Sequence, residues 1–303
     1  MASETSRGGV ETLETVLSSR TRTVTIGPGR PFVIIGERIN PSGRRRLAEE
    51  MAAGDFSRLH ADALAQVAAG AQVLDVNAGV PGGDEPALLR QAVQAVLQTV
   101  DVPLSLDSAN PAALESALAV YPGKALINST TGEDACLERV LPLAQRYGAA
   151  LVALCSDERG PSQDPQVRLA VARKITARAA HCGIPPADLL FDPLVMAVSV
   201  DTGTARVTLE TIRLLRQELD ANLVSGASNV SFGLPDRTTL NAAFLSMAMA
   251  LGMDAAITNP LEPAVRQAIL AGDLLLGHDE YGRRWIRDFR QRQKEKAGTP
   301  LHP

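Results

Sequence analysis

Eight short apolar runs, separated by loops and by Ala-rich segments with apolar residues three and four apart, constrain this chain more than any other feature. The runs are Phe32 to Gly36, Gln72 to Val76, Leu104 to Asp107, Ala125 to Asn128, Ala150 to Cys155, Leu189 to Asp192, Leu223 to Asn229 and Ala255 to Thr258. Continuous apolar runs describe strands buried on both faces, whereas Leu59 to Ala68, Ala87 to Leu97, Pro111 to Ala119 and Val167 to Ala180 have the spacing of helices with one buried face. Strict alternation of the two in eight units predicts an α/β fold, the parallel (β/α)8 TIM barrel. A doubly wound open sheet is the alternative. It wants a Gly-x-Gly-x-x-Gly turn after the first strand, where Gly36-Glu37-Arg38-Ile39-Asn40-Pro41 stands instead.

A barrel takes about 250 residues, so 303 residues accommodate one such domain with additions at both ends. Residues 1–30 are read as an N-terminal extension and 31–303 as the barrel with a C-terminal helical segment. Met1 to Arg20 is polar, with a short helix expected around Glu11 to Leu17. Thr21 to Phe32 reads as a strand and a turn through Gly27-Pro28-Gly29, placed as a lid on the bottom of the barrel. Asn110 before Pro111, and Asp55 ahead of Leu59, are expected helix starts. At the other end Tyr281, Trp285 and Phe289 are four apart, so they are expected to dock on the barrel while the basic residues around them form a solvated face.

Composition excludes several classes of function. Net charge is −4 with a pI near 5.7, and Lys and Arg are dispersed apart from Arg44 to Arg46 and the last helix, which argues against nucleic acid as a partner. Cys136, Cys155 and Cys182 are odd in number and lack a Cys-x-x-Cys pair, which fits a reducing cytoplasm rather than a disulfide framework or structural zinc. The most apolar run, Ala242 to Ile257, is broken by Gly252 and Asp254 and is too short to span a membrane, so a soluble, unexported protein is expected.

In a barrel the chemistry sits where the strands end. The polar residues found there are Glu37 and Asn40, Asp75 and Asn77, Asp107 and Ser108, Asn128 and Ser129, Asp192, and Ser228 with Asn229. Histidine is absent from all of these positions, which excludes most His-based nucleophilic chemistry and metal binding. A lone Asp is more often a helix cap than a ligand, but that explanation weakens when the pattern recurs on successive strand ends. Carboxylates accept parallel N–H bonds and carboxamides both donate and accept, so the set suits a neutral heteroaromatic ring with amino, ring N–H and carbonyl groups, such as a pterin. The stretch from Gly226 to Asn241 reads as a strand end, a polar loop and a helix start, with Asp236, Arg237, Thr238 and Thr239 making the turn.

With these motifs in order, the chain resembles the pterin-binding family of methyltetrahydrofolate:corrinoid methyltransferases and is similar to the folate module of cobalamin-dependent methionine synthase. The resemblance is carried by Ile35-Gly36-Glu37-Arg38-Ile39-Asn40, Leu74-Asp75-Val76-Asn77, Leu106-Asp107-Ser108, Ile127-Asn128-Ser129-Thr130, Phe191-Asp192-Pro193-Leu194 and Ser228-Asn229-Val230-Ser231, across about Val33 to Thr258. It implies that Asp107, Asn128 and Asp192 hold the pterin ring and that Asn229 reaches the N5 that carries the methyl group. Glu37, Asn40, Asp75 and Asn77 are assigned to supporting the ring and ordered water, Ser228 to substrate binding, and Arg237 to the folate tail or a partner protein. Dihydropteroate synthase is the rival in the same superfamily. Its Asn-Val-Thr-Pro-Asp-Ser-Phe-Ser, Gly-Gly-Glu-Ser-Thr-Arg-Pro and Arg-Val-His segments are missing here. The N-terminal extension and Phe232-Gly233-Leu234-Pro235 depart from the methyltransferase pattern.

The implied reaction moves the N5-methyl group of methyltetrahydrofolate to, or from, the Co(I) corrinoid of a separate protein. N5 must be activated by a proton or hydrogen bond; Asn229 is expected to donate one, with Asp75 or Asn77 and water completing the network. The chain has no Asp-x-His-x-x-Gly segment to supply a lower cobalt ligand, so the cobalamin is expected to ride on a partner corrinoid protein that docks over the barrel mouth. The resemblance also implies a homodimer. A non-catalytic folate-binding subunit is the second reading, and tetrahydromethanopterin in place of folate stays open.

Overall fold

The eight runs fold as their alternation demands. The computed structural model describes residues 13–298. It begins with an antiparallel hairpin of β1 (Thr15–Ser18) and β2 (Thr23–Ile26). Next come β3 (Val33–Ile39), α1 (Arg45–Ala52), α2 (Ser57–Ala68), β4 (Val73–Asn77), α3 (Glu85–Thr99), β5 (Leu104–Asp107), α4 (Pro111–Leu118) and β6 (Leu126–Thr130). The chain continues through α5 (Asp134–Tyr147), β7 (Ala150–Leu154), α6 (Pro165–His181), β8 (Leu189–Asp192), α7 (Thr204–Leu219), β9 (Asn222–Gly226), α8 (Arg237–Ala250), β10 (Ala255–Thr258), α9 (Pro263–Leu275) and α10 (Arg283–Gly298). Strands β3 to β10 form a closed barrel in chain order, every neighbour parallel and β10 paired back to β3. One apolar cluster lies between the strands and the helices around them, and a second fills the barrel.

The hairpin corrects the first expectation. Thr15 to Ser18 is a strand, not part of a helix, because alternation leaves Val16 out and Leu17 in while Thr23 to Ile26 supplies a pairing partner; residues 11 and 12 lie outside the described residues. Leu17 and Ile26 are fully buried against Val33, Val73, Leu126, Ala150 and Ala255 inside the barrel. Ser18 N donates to Lys124 O at 3.0 Å, Lys124 N to Ser18 Oγ at 2.8 Å, and Thr15 Oγ1 to Ala187 O at 2.5 Å. These partners precede β6 and β8, so the hairpin covers the bottom of the barrel.

Other differences are local. The run ending in Asn229 stops as a strand at Gly226 and turns into a 3-10 segment from Ala227 to Ser231, since Ser228 and Asn229 favour turn geometry over a ladder. Helix α8 already begins at Arg237, because Asp236 in the left-handed region, φ 49°, completes the turn alone. Tyr281 and Phe289 do not dock: they are 79% and 48% exposed, and Trp285 alone of the three is half-buried. Tyr281 sits before α10 at φ 56°, out of helical phase, and Arg283 and Arg292 lie over the rings of Tyr281 and Phe289. What anchors α10 is buried Asp288, paired with Arg266 of α9 and with Arg292. Asn110 caps α4 as expected, accepting from Ala112 N at 3.0 Å, whereas the cap position of α2 is Phe56 and Asp55, one residue earlier, accepts from Ser57 N at 2.9 Å in the turn that leads into the helix.

Candidate active site

Side chains two apart along a strand share a face. Val33, Ile35 and Glu37 on β3, Val73, Asp75 and Asn77 on β4, Leu126 and Asn128 on β6, and Leu190 and Asp192 on β8 are therefore in phase. Their apolar members belong to the cluster inside the barrel, so the carboxylates and amides point inward above an apolar floor. Register does the rest. Asp75 lies beside Ser105, Asn77 beside Asp107, Asp107 beside Asn128, and Leu154 beside Asp192.

Five side chains join into one network. Oδ1 of Asp75 accepts from Ser105 Oγ at 2.6 Å and from Asn128 Nδ2 at 3.1 Å. Asn77 Nδ2 donates to Asp107 Oδ2 at 3.0 Å, and its Oδ1 accepts from Gly79 N at 2.8 Å. Burial, reinforced by the charge of Asp107, pushes the Asp75 carboxyl well above the usual carboxylate range. Burial raises Asp107 too, while hydrogen bonds from Asn77 and Asp75 pull it back. Asp75 is the deeper of the two and retains the proton, and Asp107 stays the better acceptor at the mouth.

Asp192 stands across the barrel. Leu194 N donates to its Oδ1 at 2.8 Å. Burial lifts its carboxyl to about 6, opposed by the backbone N–H groups of Leu194 and Gly226 and by the positive charge of Arg168. A third group gathers at β3 and the loop after β9. Ser228 Oγ donates to Glu37 Oε1 at 2.8 Å, and Arg237 donates to Ser228 O at 2.8 Å and Ser231 Oγ at 3.1 Å. Burial raises Glu37, and Ser228, Arg38 and Arg237 oppose the rise. A cavity of about 160 Å³ opens here between Glu37, Ser228, Arg237, Asn241, Thr258 and Glu262.

Asn229 is exposed, and its amide makes no hydrogen bond within the described residues. It lies against Gly226, where an added Cβ would come within 3.1 Å of Asn229 Nδ2. Asn40 is not brought into any of these groups, as its Oδ1 accepts from Ser42 N at 2.9 Å within its own loop. Arg237 is turned back onto the loop it follows and lies over Phe232, 5.7 Å from the ring centre. Among the described residues no three His, Cys, Asp or Glu side chains are grouped to hold a metal, and no helix is long and apolar enough to cross a membrane.

Two participants escaped the sequence reading. Ser105 was findable, because it lies two before Asp107 in Leu104-Ser105-Leu106-Asp107 and so shares its face. Arg168 carried no signal, being one basic residue among several in an amphipathic helix.

Residues 36–259 match the family model described as "Pterin binding enzyme". Over 268 residues the chain is 31% identical to methylcorrinoid:tetrahydrofolate methyltransferase of Eubacterium limosum, covering 86% of this chain and 97% of that protein. It is 29% identical over 259 residues to methionine synthase of Mycobacterium tuberculosis, covering 81% of this chain but 22% of that much longer protein. Dihydropteroate synthase of Thermus thermophilus superposes with a TM-score of 0.64, at 24% identity, over 86% of this chain and 99% of that one. At that identity the likeness speaks to the fold alone. The family model spans the strands that carry every carboxylate and amide of the site, and the chain belongs to the family of pterin-binding enzymes.

Proposed function

We propose that this protein is a methyltransferase that moves a methyl group between N5 of a tetrahydrofolate and the cobalt of a corrinoid carried by a partner protein. The observation that carries the reading is the likeness to the E. limosum methyltransferase, which extends over 97% of that protein. The site's chemistry supports it. Asp107, Asn128 and Asp192 offer acceptors and an amide to the amino, ring N–H and carbonyl edge of a pterin, and a charged acceptor makes the stronger bond. The dihydropteroate synthase likeness bears on the barrel, and that enzyme's strand-end segments are missing from this sequence.

Transfer to N5 forms a carbon–nitrogen bond as the carbon–cobalt bond breaks, its electron pair stays on the metal, and the N5 proton departs; transfer from N5 reverses each step. The protein must therefore manage one proton at N5. Asn229 supplies an amide with no other partner among the described residues: its oxygen accepts from a protonated N5 and its NH2 donates to an unprotonated one, so it follows the proton without titrating. Asp75 and Asn77 act behind the ring, holding Asn128 and Asp107 in place. The open face above Asn229 is where the corrinoid partner docks. The same reading carries a cytoplasmic location, in keeping with three free thiols, and a homodimer through barrel helices.

The test mixes the protein with methyltetrahydrofolate and reduced free cobalamin and follows the visible absorbance of Co(I). Loss of the Co(I) band, and its recovery from methylcobalamin with tetrahydrofolate, is the expected result. A constant spectrum with Co(I) demonstrably present would leave a folate-binding subunit as the better reading.

A further inference from the structure

Arg168 is the largest of the fully buried side chains among the described residues. It stands in the first turn of α6, where its backbone N–H bonds Asp164 O at 3.2 Å, so its side chain runs back toward the end of the barrel where β7 and β8 finish. Nε donates to Ser162 O at 2.7 Å, and Nη1 to Pro193 O at 2.6 Å and Leu194 O at 2.9 Å. Nη2 is buried without a partner. Every hydrogen bond of this guanidinium ends on a main-chain carbonyl. Such a group keeps its proton in a protein interior, and a buried charge without an answering charge is strongly unfavourable.

The answering charge is Asp192, which forms no ion pair with Arg168 but lies within reach of its field across the turn. Cys155, the residue after β7, is the other titratable group facing the pair, and burial holds its thiol protonated. The turn itself needs support, because Leu194 lies at φ 66°, a region that side-chain-bearing residues rarely adopt. Its N–H is fixed by Asp192 Oδ1, and its carbonyl accepts from both Arg168 Nη1 and Thr208 Oγ1, the latter at 2.8 Å. One guanidinium thus serves the geometry of the Asp192 turn and the electric field at its carboxyl.

We propose that Arg168 is a positioning residue for ligand binding: from behind the barrel mouth it fixes the Pro193–Leu194 turn that orients Asp192 and supplies the positive field that keeps Asp192 a charged acceptor for the pterin edge. The proposal rests on the reading of Asp192 as a ring contact. It separates Arg168 from residues that merely fill space, since a charge that acts on Asp192 alters how the site responds to pH.

The test replaces Arg168 by Met, which keeps bulk and drops charge, and by Lys, which keeps charge. Asp192 is titrated by carboxyl NMR in folate-free protein labelled with 13C-aspartate, and KM for folate and kcat are measured across pH. In Arg168→Met the Asp192 midpoint rises from about 6, so folate affinity at about pH 6.5 falls severalfold and recovers as pH rises above the new midpoint, with kcat within about twofold. In Arg168→Lys the midpoint stays near that of the parent. Should the Met variant not fold, Arg168→Gln, which retains a donor without charge, is expected to raise the midpoint in the same way. An unmoved midpoint in a charge-free variant, an equal rise in the Lys variant, or an affinity loss of one size at every pH overturns the proposal. If the parent protein binds no folate, the functional reading fails, while the folate-free midpoint still decides whether Arg168 sets the charge of Asp192.

Discussion

Asn128 donates to Asp75 across 3.1 Å, so an amide at the mouth of the barrel is held by a carboxyl buried behind it. Ser105 grips the same oxygen from the next strand. Because burial and the neighbouring Asp107 raise the Asp75 carboxyl far above its usual range, its charged form is disfavoured in the folded protein.

The linkage has a definite sign. A carboxyl raised on folding contributes stability below its unfolded range, and that contribution is lost as pH rises from there toward the folded value. Asp75→Asn keeps the oxygen that accepts from Ser105 and Asn128 and has no charge to bury. The variant is expected to be more stable at pH 7 by about 1–2 kcal/mol, roughly a 2–4 °C rise in Tm, with the gain vanishing near pH 3. Methyl transfer should fall about tenfold or more, since the proton between Asp75 and Asp107 is gone. Thermal melts at the two pH values check the first part; an equal or lower Tm at pH 7 would remove the burial argument.

Asp192 gives the pH dependence. Its carboxyl is raised to about 6, so it is ionised at neutral pH and loses its charge as pH falls through that value. Folate affinity should fall in step below about pH 6, and Asp192→Ala should weaken binding at pH 7 by about tenfold to a hundredfold while flattening the acid limb. Calorimetric titration between pH 5 and 8 measures both. Unchanged affinity in the variant would take Asp192 out of the ring contact.

Asn229 should separate binding from chemistry. It is exposed and unpartnered among the described residues, so Asn229→Ala leaves the fold and the ring-edge acceptors untouched. Folate Kd is expected within about threefold of the parent, and kcat lower by about a hundredfold, the size of effect produced by removing one transition-state hydrogen bond. Single-turnover transfer to Co(I) cobalamin reads the step directly. Transfer at the parental rate would assign N5 to another group.

The barrel was legible in the sequence because its signal is repeated. Eight apolar runs each bury both faces, and each polar residue in phase with them, such as Glu37 with Val33 and Ile35, inherits their direction. Features that rest on a single contact were not legible. The second strand of the hairpin was legible, but its first strand fell in a stretch read as helix around Glu11 to Leu17, and the pairing of Thr15 to Ser18 with Thr23 to Ile26 that decides the matter is not a periodic signal. The aromatic triplet before and within α10 failed for the same reason, since one left-handed residue, Tyr281, shifts the helical phase. Arg168 is written in the sequence like any surface arginine, and the carbonyls of Pro193 and Leu194 that bury it are supplied by tertiary structure.

Gly36 ties the fold to the site most tightly. Gln66 of α2 is fully buried and its Oε1 accepts from Arg38 N at 2.8 Å, taking that N–H out of the ladder where the β3–β4 register shifts between Gly36 and Ile39. Glu37, which meets Ser228, sits in this irregular stretch. Only a residue without a Cβ admits Gln66 so close: a Cβ on Gly36 would lie 2.5 Å from Gln66 Oε1 and 3.1 Å from Leu74 Cδ2. Gly36→Ala is therefore expected to cost about 1–3 kcal/mol by overpacking and to displace Glu37 from Ser228, lowering methyl transfer as well as the urea midpoint. Gln66→Ala makes room and also gives up the bond to Arg38, so the double variant should recover part of the stability lost in Gly36→Ala without recovering full activity. Additive losses in the double variant would show that the close approach of Gly36 and Gln66 is not what the strand irregularity depends on.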